Sequence, residues 1–476
     1  MPEVQTAPAR FRRPAATLAL LALAQLIISI DYNIVYVALP EIGDALGFST
    51  QTLQWVISAY AVAFGGFLLL GGRGCDLFGP RRMFVLGLAL YGVSSLAGGL
   101  ATAPGTLIAA RALQGLGGAL LFPSTLTLVS TGFAAGRDRN RAFAVWGTAG
   151  GSGMILGSLL GGVLTDAFGW AAVLFVNVPL VLIAVAAALV LIPHDGPRDV
   201  GRRLDLAGAL TATAGVVLLV FALVQGPESG WTAPTVLTAA GAGAVLLVAF
   251  VVIERKSGDP LLPMRLLRDR DLRTGVAVTF LYMAGFGTLL YFLTVYFQAV
   301  HGYGPLATGL AFLVPMAAIA AGSQIAGRLA TRRGMRTAMV ISLTVGGAGT
   351  VVVGVCMSTT AGYLGLVPGL VLLGLGQGAG YTLMFGAATA GIDARNRGVA
   401  SGLTSTAQQI GGAVGLAVLV AIANSAGTGM TITGLRTAVF LAAAVIVLAT
   451  VTVFGFTPSS RKAGSTESVL ADVARA

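Results

Sequence analysis

Two ionisable side chains lie well inside apolar runs of this chain, Asp31 and Arg111. Ionised groups are costly in hydrocarbon, so they usually face a cavity or a partner and mark function. Asp31 falls about eight residues, roughly 12 Å, from the outer end of its run, and Arg111 about six residues, roughly 9 Å, from the outer end of its own. The runs point in opposite directions, so the two charges come to similar depth. A carboxylate in a partly dry cavity is drawn toward its protonated form, while a cationic substrate or a nearby arginine drives the proton off. One carboxylate would then hold proton or substrate but not both, the simplest basis for exchange. The alternatives are a fixed ion pair that only joins two helices, or side chains that snorkel to the interface. Gln114 stands one turn from Arg111, within reach of a hydrogen bond.

The elements that position these charges are apolar helices. Only 10% of the 476 residues are charged and 56% are hydrophobic, with mean hydropathy +0.88. Soluble domains carry roughly 25% charge, so lipid must be the main solvent. Apolar runs long enough to span a bilayer occupy 15–39, 52–71, 83–101, 105–129, 141–165, 169–191, 205–225, 234–253, 274–300, 305–329, 336–356, 361–386, 398–423 and 435–456. The expected fold is all-α and integral to the membrane, with fourteen spans. The first run follows Arg10, Arg12 and Arg13 and is too long for a signal-peptide core, so it is expected to be retained.

Charge supports the count. Of 29 basic residues, all but Arg111 and Arg436 fall in the tails and in alternate loops. By the positive-inside rule both termini are cytoplasmic. The net charge of +11 comes from these short clusters. It does not form the basic stripe of a nucleic-acid-binding domain. Cys75, in an expected cytoplasmic loop, and Cys356, at the far end of a span, are expected to be free thiols. Neither a metal cluster nor a phosphate-binding loop can be read, so no cofactor is expected.

The segment G-R-G-C-D-L-F-G-P-R-R at 72–82 has a counterpart, G-R-L-A-T-R-R-G-M-R-T, at 327–337, and Arg141 has one in Arg397. Spans 1–6 and 9–14 therefore read as two copies of one six-helix unit, which places a substrate site between them near the midplane. The expected organisation is a first bundle at 1–192, inserted spans 7 and 8 at 193–253, a polar linker at 254–273, a second bundle at 274–456 and a disordered tail at 457–476. The linker is read as solvated or as a short surface-lying amphipathic segment.

In the 72–82 loop, Gly72 and Gly79 permit a tight turn, and Asp76 can pair with a base such as Arg81 or Arg82 or cap the next helix. That reads as a gating latch or as a static turn. In span 5, Gly153, Gly157 and Gly161, followed by Gly162, give a flat face for close helix approach, in packing or in gating. Candidate cavity residues are Tyr32, Tyr36, Trp55, Tyr60, Gln114, Tyr282, Phe286, Tyr291 and Phe292, whose rings suit flat or cationic substrates, although packing roles compete.

Jointly these motifs resemble the fourteen-span drug:proton antiporters of the major facilitator superfamily, along nearly the whole chain. D-Y-N-I-V-Y-V-A-L-P from Asp31 is similar to that family's span 1 signature, R-A-L-Q-G from Arg111 to its span 4 motif, and G-M-I-L-G-S-L-L-G-G from Gly153 to the antiporter motif. The 72–82 loop resembles the superfamily signature G-x-L-A-D-R-x-G-R-R. L-D-L-A-G-A-L from Leu204 and G-P-E-S-G-W from Gly226 resemble the extra pair of spans. The chain departs at Leu77 and Pro80, where bases are usual, at Ser158 in place of proline, and at Gln408 and Gln409, where some relatives carry an acid.

The resemblance implies alternating access in a bacterial inner membrane. Asp31 would carry the proton, Arg111 would tune it, and the proton gradient would drive export of amphipathic or cationic compounds by a monomer. A single embedded carboxylate suggests few protons per cycle. The rival readings are a lipid or dedicated natural-product exporter on the same fold and, more distantly, a membrane-embedded transferase.

Overall fold

A computed structural model of the chain describes residues 11, 13–49, 52–134, 137–195, 205–257, 260, 266–360, 362–389, 397–424 and 431–456. Each expected span falls on a helix. Span 1 is Pro14–Leu46, span 2 Trp55–Phe78, span 3 Pro80–Gly99, span 4 Pro104–Gly132, span 5 Arg137–Phe168, span 6 Ala172–Leu191 and span 7 Leu206–Ser229. Span 8 is Pro234–Lys256, span 9 Arg270–Val300, span 10 Pro305–Ala330, span 11 Met335–Cys356, span 12 Tyr363–Thr389, span 13 Arg397–Ala423 and span 14 Ile432–Thr452. Among the described residues, 13 helices are long and apolar enough to cross a membrane, and span 2 contributes the shorter apolar stretch Thr52–Leu68.

Local chemistry sets the ends. Pro14, Pro80, Pro104, Pro234 and Pro305 open their helices, where a missing N–H costs nothing. Gly47, at φ 71°, closes span 1 by donating its N–H to Gly43 O, a left-handed cap that glycine adopts without strain. Large apolar side chains point outward, with Leu364 82% and Val190 80% exposed. Such faces are stable only against lipid. The molecule is a multi-pass membrane protein.

The packing of spans 1–6 recurs in spans 9–14. Span 4 packs against spans 2 and 3, and span 12 against spans 10 and 11. Span 1 lies along span 5 as span 9 lies along span 13. Glycines make these contacts close. A Cβ on Gly115 would sit 2.3 Å from Tyr60 O, and one on Gly349 2.2 Å from Leu373 N. Without a hydrophobic drive between helices in lipid, such close van der Waals contact holds them together. Spans 7 and 8 pair with each other, and span 7 leans on spans 2 and 13.

Two expected connections are shorter than the sequence suggested. The polar stretch 72–78 is helical to Phe78, and Gly79 alone, at φ 95°, turns the chain into span 3. Cys75 is accordingly buried in a helix against Met83 and Leu120, and neither cysteine forms a disulfide among the described residues. At 254–273, Glu254, Arg255 and Lys256 complete span 8, while Asp269 caps span 9 through Leu272 N at 2.8 Å. Bases in a last turn favour the helix dipole, which is why polarity there does not end the helix. The tail 457–476 lies outside the described residues.

Candidate functional site: a buried charge network

Span 1 delivers Asp31 and span 4 delivers Arg111 to one point, as the depth arithmetic requires. Arg111 Nη1 donates to Asp31 Oδ2 at 2.7 Å, with both side chains essentially buried. The same Nη1 donates to Gln114 Oε1 at 2.6 Å, and Nε donates to Val56 O at 2.9 Å. Asp31 Oδ1 accepts from Gln114 Nε2 and from Asn177 Nδ2, both at 2.8 Å. Those two amides also donate to Ser95 Oγ, at 2.9 and 3.1 Å. The Arg111 guanidinium stands 4.5 Å from the Tyr60 ring centroid, and Tyr60 packs edge-on against Tyr91. Spans 1, 2, 3, 4 and 6 thus meet through one polar knot in an apolar interior.

This geometry limits the chemistry. Both Asp31 oxygens accept protein donors and the residue is 0% exposed. A substrate cannot touch it in this conformation, which does not offer the carboxylate for direct competition between proton and substrate. Removing one member of such a pair leaves an uncompensated buried charge, worth about 3–5 kcal/mol.

The glycine face of span 5 bears on the same stretch of span 1. A Cβ on Gly153 would lie 2.7 Å from Ser29 Cβ, one on Gly157 2.5 Å from Ile30 O, and one on Gly161 2.6 Å from Ile34 O. Gly162 instead meets span 10, its Cβ position 2.8 Å from Pro305 O, and Gly309 of span 10 faces Ser158 O at 2.7 Å. Span 5 stays helical through Ser158. Gln298 of span 9 donates to Val37 O at 2.8 Å. These contacts between the halves sit toward the ends of spans 1, 5, 9 and 10 that lie away from the chain termini.

At the opposite side, Asp195 takes up the span 2–3 turn. Its two carboxylate oxygens accept the backbone N–H groups of Arg81 and Arg82, at 3.0 and 2.9 Å. Arg81 also donates to Leu189 O at 2.9 Å. Gly79 and Pro80 carry no capping side chain, so Asp195 satisfies the helix start from across the bundle. The Asp76 side chain lies outside what is described. Gly72 faces Pro123 of span 4.

Residues 21–416 match the family described as Major Facilitator Superfamily. The chain belongs to the major facilitator superfamily. Like other members of that superfamily it is a membrane transporter. It is 41% identical over 419 residues to the puromycin resistance protein of Streptomyces alboniger, covering 87% of this chain and 82% of that protein. Over 419 residues it is also 38% identical to the cephamycin export protein of Amycolatopsis lactamdurans, at 87% and 85% coverage. Among solved structures, an auto-inhibited POT family peptide transporter superposes with TM-score 0.70 at 16% identity, covering 93% of this chain and 96% of that one. At that identity the likeness shows the fold alone.

Within the superfamily fold, the expected aromatic residues separate. Tyr60 and Gln114 join the Asp31 network. Trp55 is buried among Val62, Val216 and Ala413, where spans 2, 7 and 13 meet. Tyr291 and Phe292 are fully buried in packing, and Phe286 lies under Gly346. Tyr36 is buried, its ring 6.2 Å from that of Tyr32, which is only half-buried. Tyr282 donates to Gln377 O at 2.6 Å and packs 6.3 Å from Tyr381. Tyr381 is 39% exposed and accepts from Gln408 at 3.4 Å.

Sequence reading missed Ser95, Asn177, Tyr91, Asp195 and Tyr381. Asn177 alone carried a signal, an amide inside the apolar run L-F-V-N-V-P-L. Serine in membrane helices is too common to stand out.

Proposed function

We propose that this transporter exports amphipathic or cationic organic compounds, antibiotics among them, in exchange for protons. The observation that carries the reading is the buried Asp31–Arg111 pair, set in a chain 41% identical to a puromycin resistance protein. Both termini face the cytoplasm, the site is the cytoplasmic membrane, and one chain suffices. The close contacts from Ser158 to Gly309 and from Gly162 to Pro305 then seal the outer side, so the conformation is the one that loads from the cytoplasm. The first and second six-helix units rock about their shared interface, with spans 7 and 8 as an insertion.

Proton binding at Asp31 removes its charge and weakens the bond to Arg111. Span 1 carries that change to the glycine face of span 5, and span 5 holds the outer seal with span 10. Tyr32, beside Asp31, and Tyr381 with Gln408 present rings and an amide for an aromatic substrate. The test is efflux of puromycin from proteoliposomes under an imposed pH gradient. Gradient-dependent transport supports the reading, and its absence across a panel of lipophilic cations removes it. The cephamycin export relative favours a second reading, dedicated export of one natural product. That reading predicts transport of a single compound where the first predicts many.

A further inference from the structure

A shallow, open surface depression of about 470 Å3 lies at the terminus-side end of the molecule, where span 9 begins and span 14 ends, with Arg270 and Arg273 exposed at it. Arg270, Arg273 and Thr274 line it together with Ala277, Val451, Thr452 and Gly455, and among the described residues no acidic side chain does. Arg270 is held in place, its Nε donating to Gly455 O at 2.7 Å. Of the neighbouring acids, Asp269 caps the helix through Leu272 N, and Asp271 is buried and does not line the depression. A third guanidinium, Arg336 of span 11, stacks 4.8 Å from the Phe454 ring beside the depression. Ala277 and Val451 make the lining partly apolar, and Val451 continues with Val447 and Leu448 as an exposed apolar stripe on span 14.

We infer that this depression binds the phosphate headgroup of an anionic phospholipid, with the acyl chains lying along span 14. Guanidinium groups match phosphate oxygens in pairs. Basic pockets between transmembrane helices are suited to such headgroups. The apolar part of the lining and the adjoining exposed stripe select a phosphate that carries chains over a free one. None of these residues belongs to the transport site, so the inference stands apart from the exchange mechanism.

Native mass spectrometry of the full chain in detergent tests it, with phosphatidylglycerol, phosphatidylcholine and inorganic phosphate as probes. The wild type is expected to retain phosphatidylglycerol in preference to phosphatidylcholine. The double variant Arg270→Gln, Arg273→Gln should lose about ten- to thirty-fold of that affinity, as expected for two charges near an anionic headgroup. Ala277→Trp, which keeps both charges and fills the apolar part, should lose it as well. Arg255→Gln with Lys256→Gln, exposed bases at the end of span 8, should not. Equal retention of the two lipids, or retention undiminished in either the arginine or the tryptophan variant, overturns the site. Inorganic phosphate that competes as well as phosphatidylglycerol would make it a plain anion site and overturn the lipid assignment.

Discussion

Gly157 of span 5 lies against the backbone of Ile30, the residue before Asp31: a Cβ at position 157 would stand 2.5 Å from Ile30 O. The glycine face and the buried carboxylate are therefore parts of one contact. Span 5 thus bears on span 1 next to Asp31, and it also meets span 10 through Ser158 and Gly162.

Gly157→Ala is expected to push the two helices apart or strain them, at a cost of about 1–3 kcal/mol, and to slow transport. Gly147→Ala, at a position with open space around it, should leave both unchanged. Thermal unfolding in detergent and transport assays on the pair separate a specific contact from general sensitivity of the span.

Asn177 supplies one of the two donors to Asp31 Oδ1, and its own Oδ1 lacks a partner among the described residues. Hydrogen bonds to charged groups contribute roughly 1.5–3 kcal/mol. Asn177→Ala should destabilise the protein by that order and reduce transport, while Asn177→Gln should recover less than wild type because the longer amide misplaces the donor. A melting-temperature series compares the three proteins.

Much of the fold was open to sequence reading because its constraints are global. Charge alternation fixes the span count, since one misplaced helix would scramble it, and helical rise fixes the depth of Asp31 against Arg111. What escaped depends on facing. Residue type cannot tell that Phe292 packs inward while Tyr381 of span 12, hydrogen-bonded to Gln408 of span 13, is partly exposed. Nor does spacing show that Asp195, more than a hundred residues away, caps the span 2–3 turn. The 72–82 segment read as a loop because its residues are polar, yet a single positive-φ glycine suffices to reverse the chain.

Asp195→Ala should cost about 0.5–2 kcal/mol, the range for a lost helix cap, because the N–H groups of Arg81 and Arg82 both lose their acceptor. Asp195→Asn, which keeps one oxygen, should cost less. Chemical denaturation of the purified protein ranks the two.

Cys75 is 4% exposed under Met83 and Leu120, whereas Cys356 is half-buried. A thiol reagent is expected to modify Cys356 first, with Cys75 reacting only as the protein unfolds. Peptide mass mapping after a brief maleimide pulse reads the order, and prior labelling of Cys75 would contradict its burial.

Asp31 is proposed to couple proton movement to export. The most direct measurement is puromycin transport in proteoliposomes under an imposed pH gradient, wild type against Asp31→Asn, with substrate binding measured on the same preparations. The variant is expected to keep whatever substrate binding the wild type shows, because Asp31 is fully buried, and to lose gradient-driven transport. Transport undiminished in Asp31→Asn would contradict it and reduce the Asp31–Arg111 pair to a structural tie between spans 1 and 4.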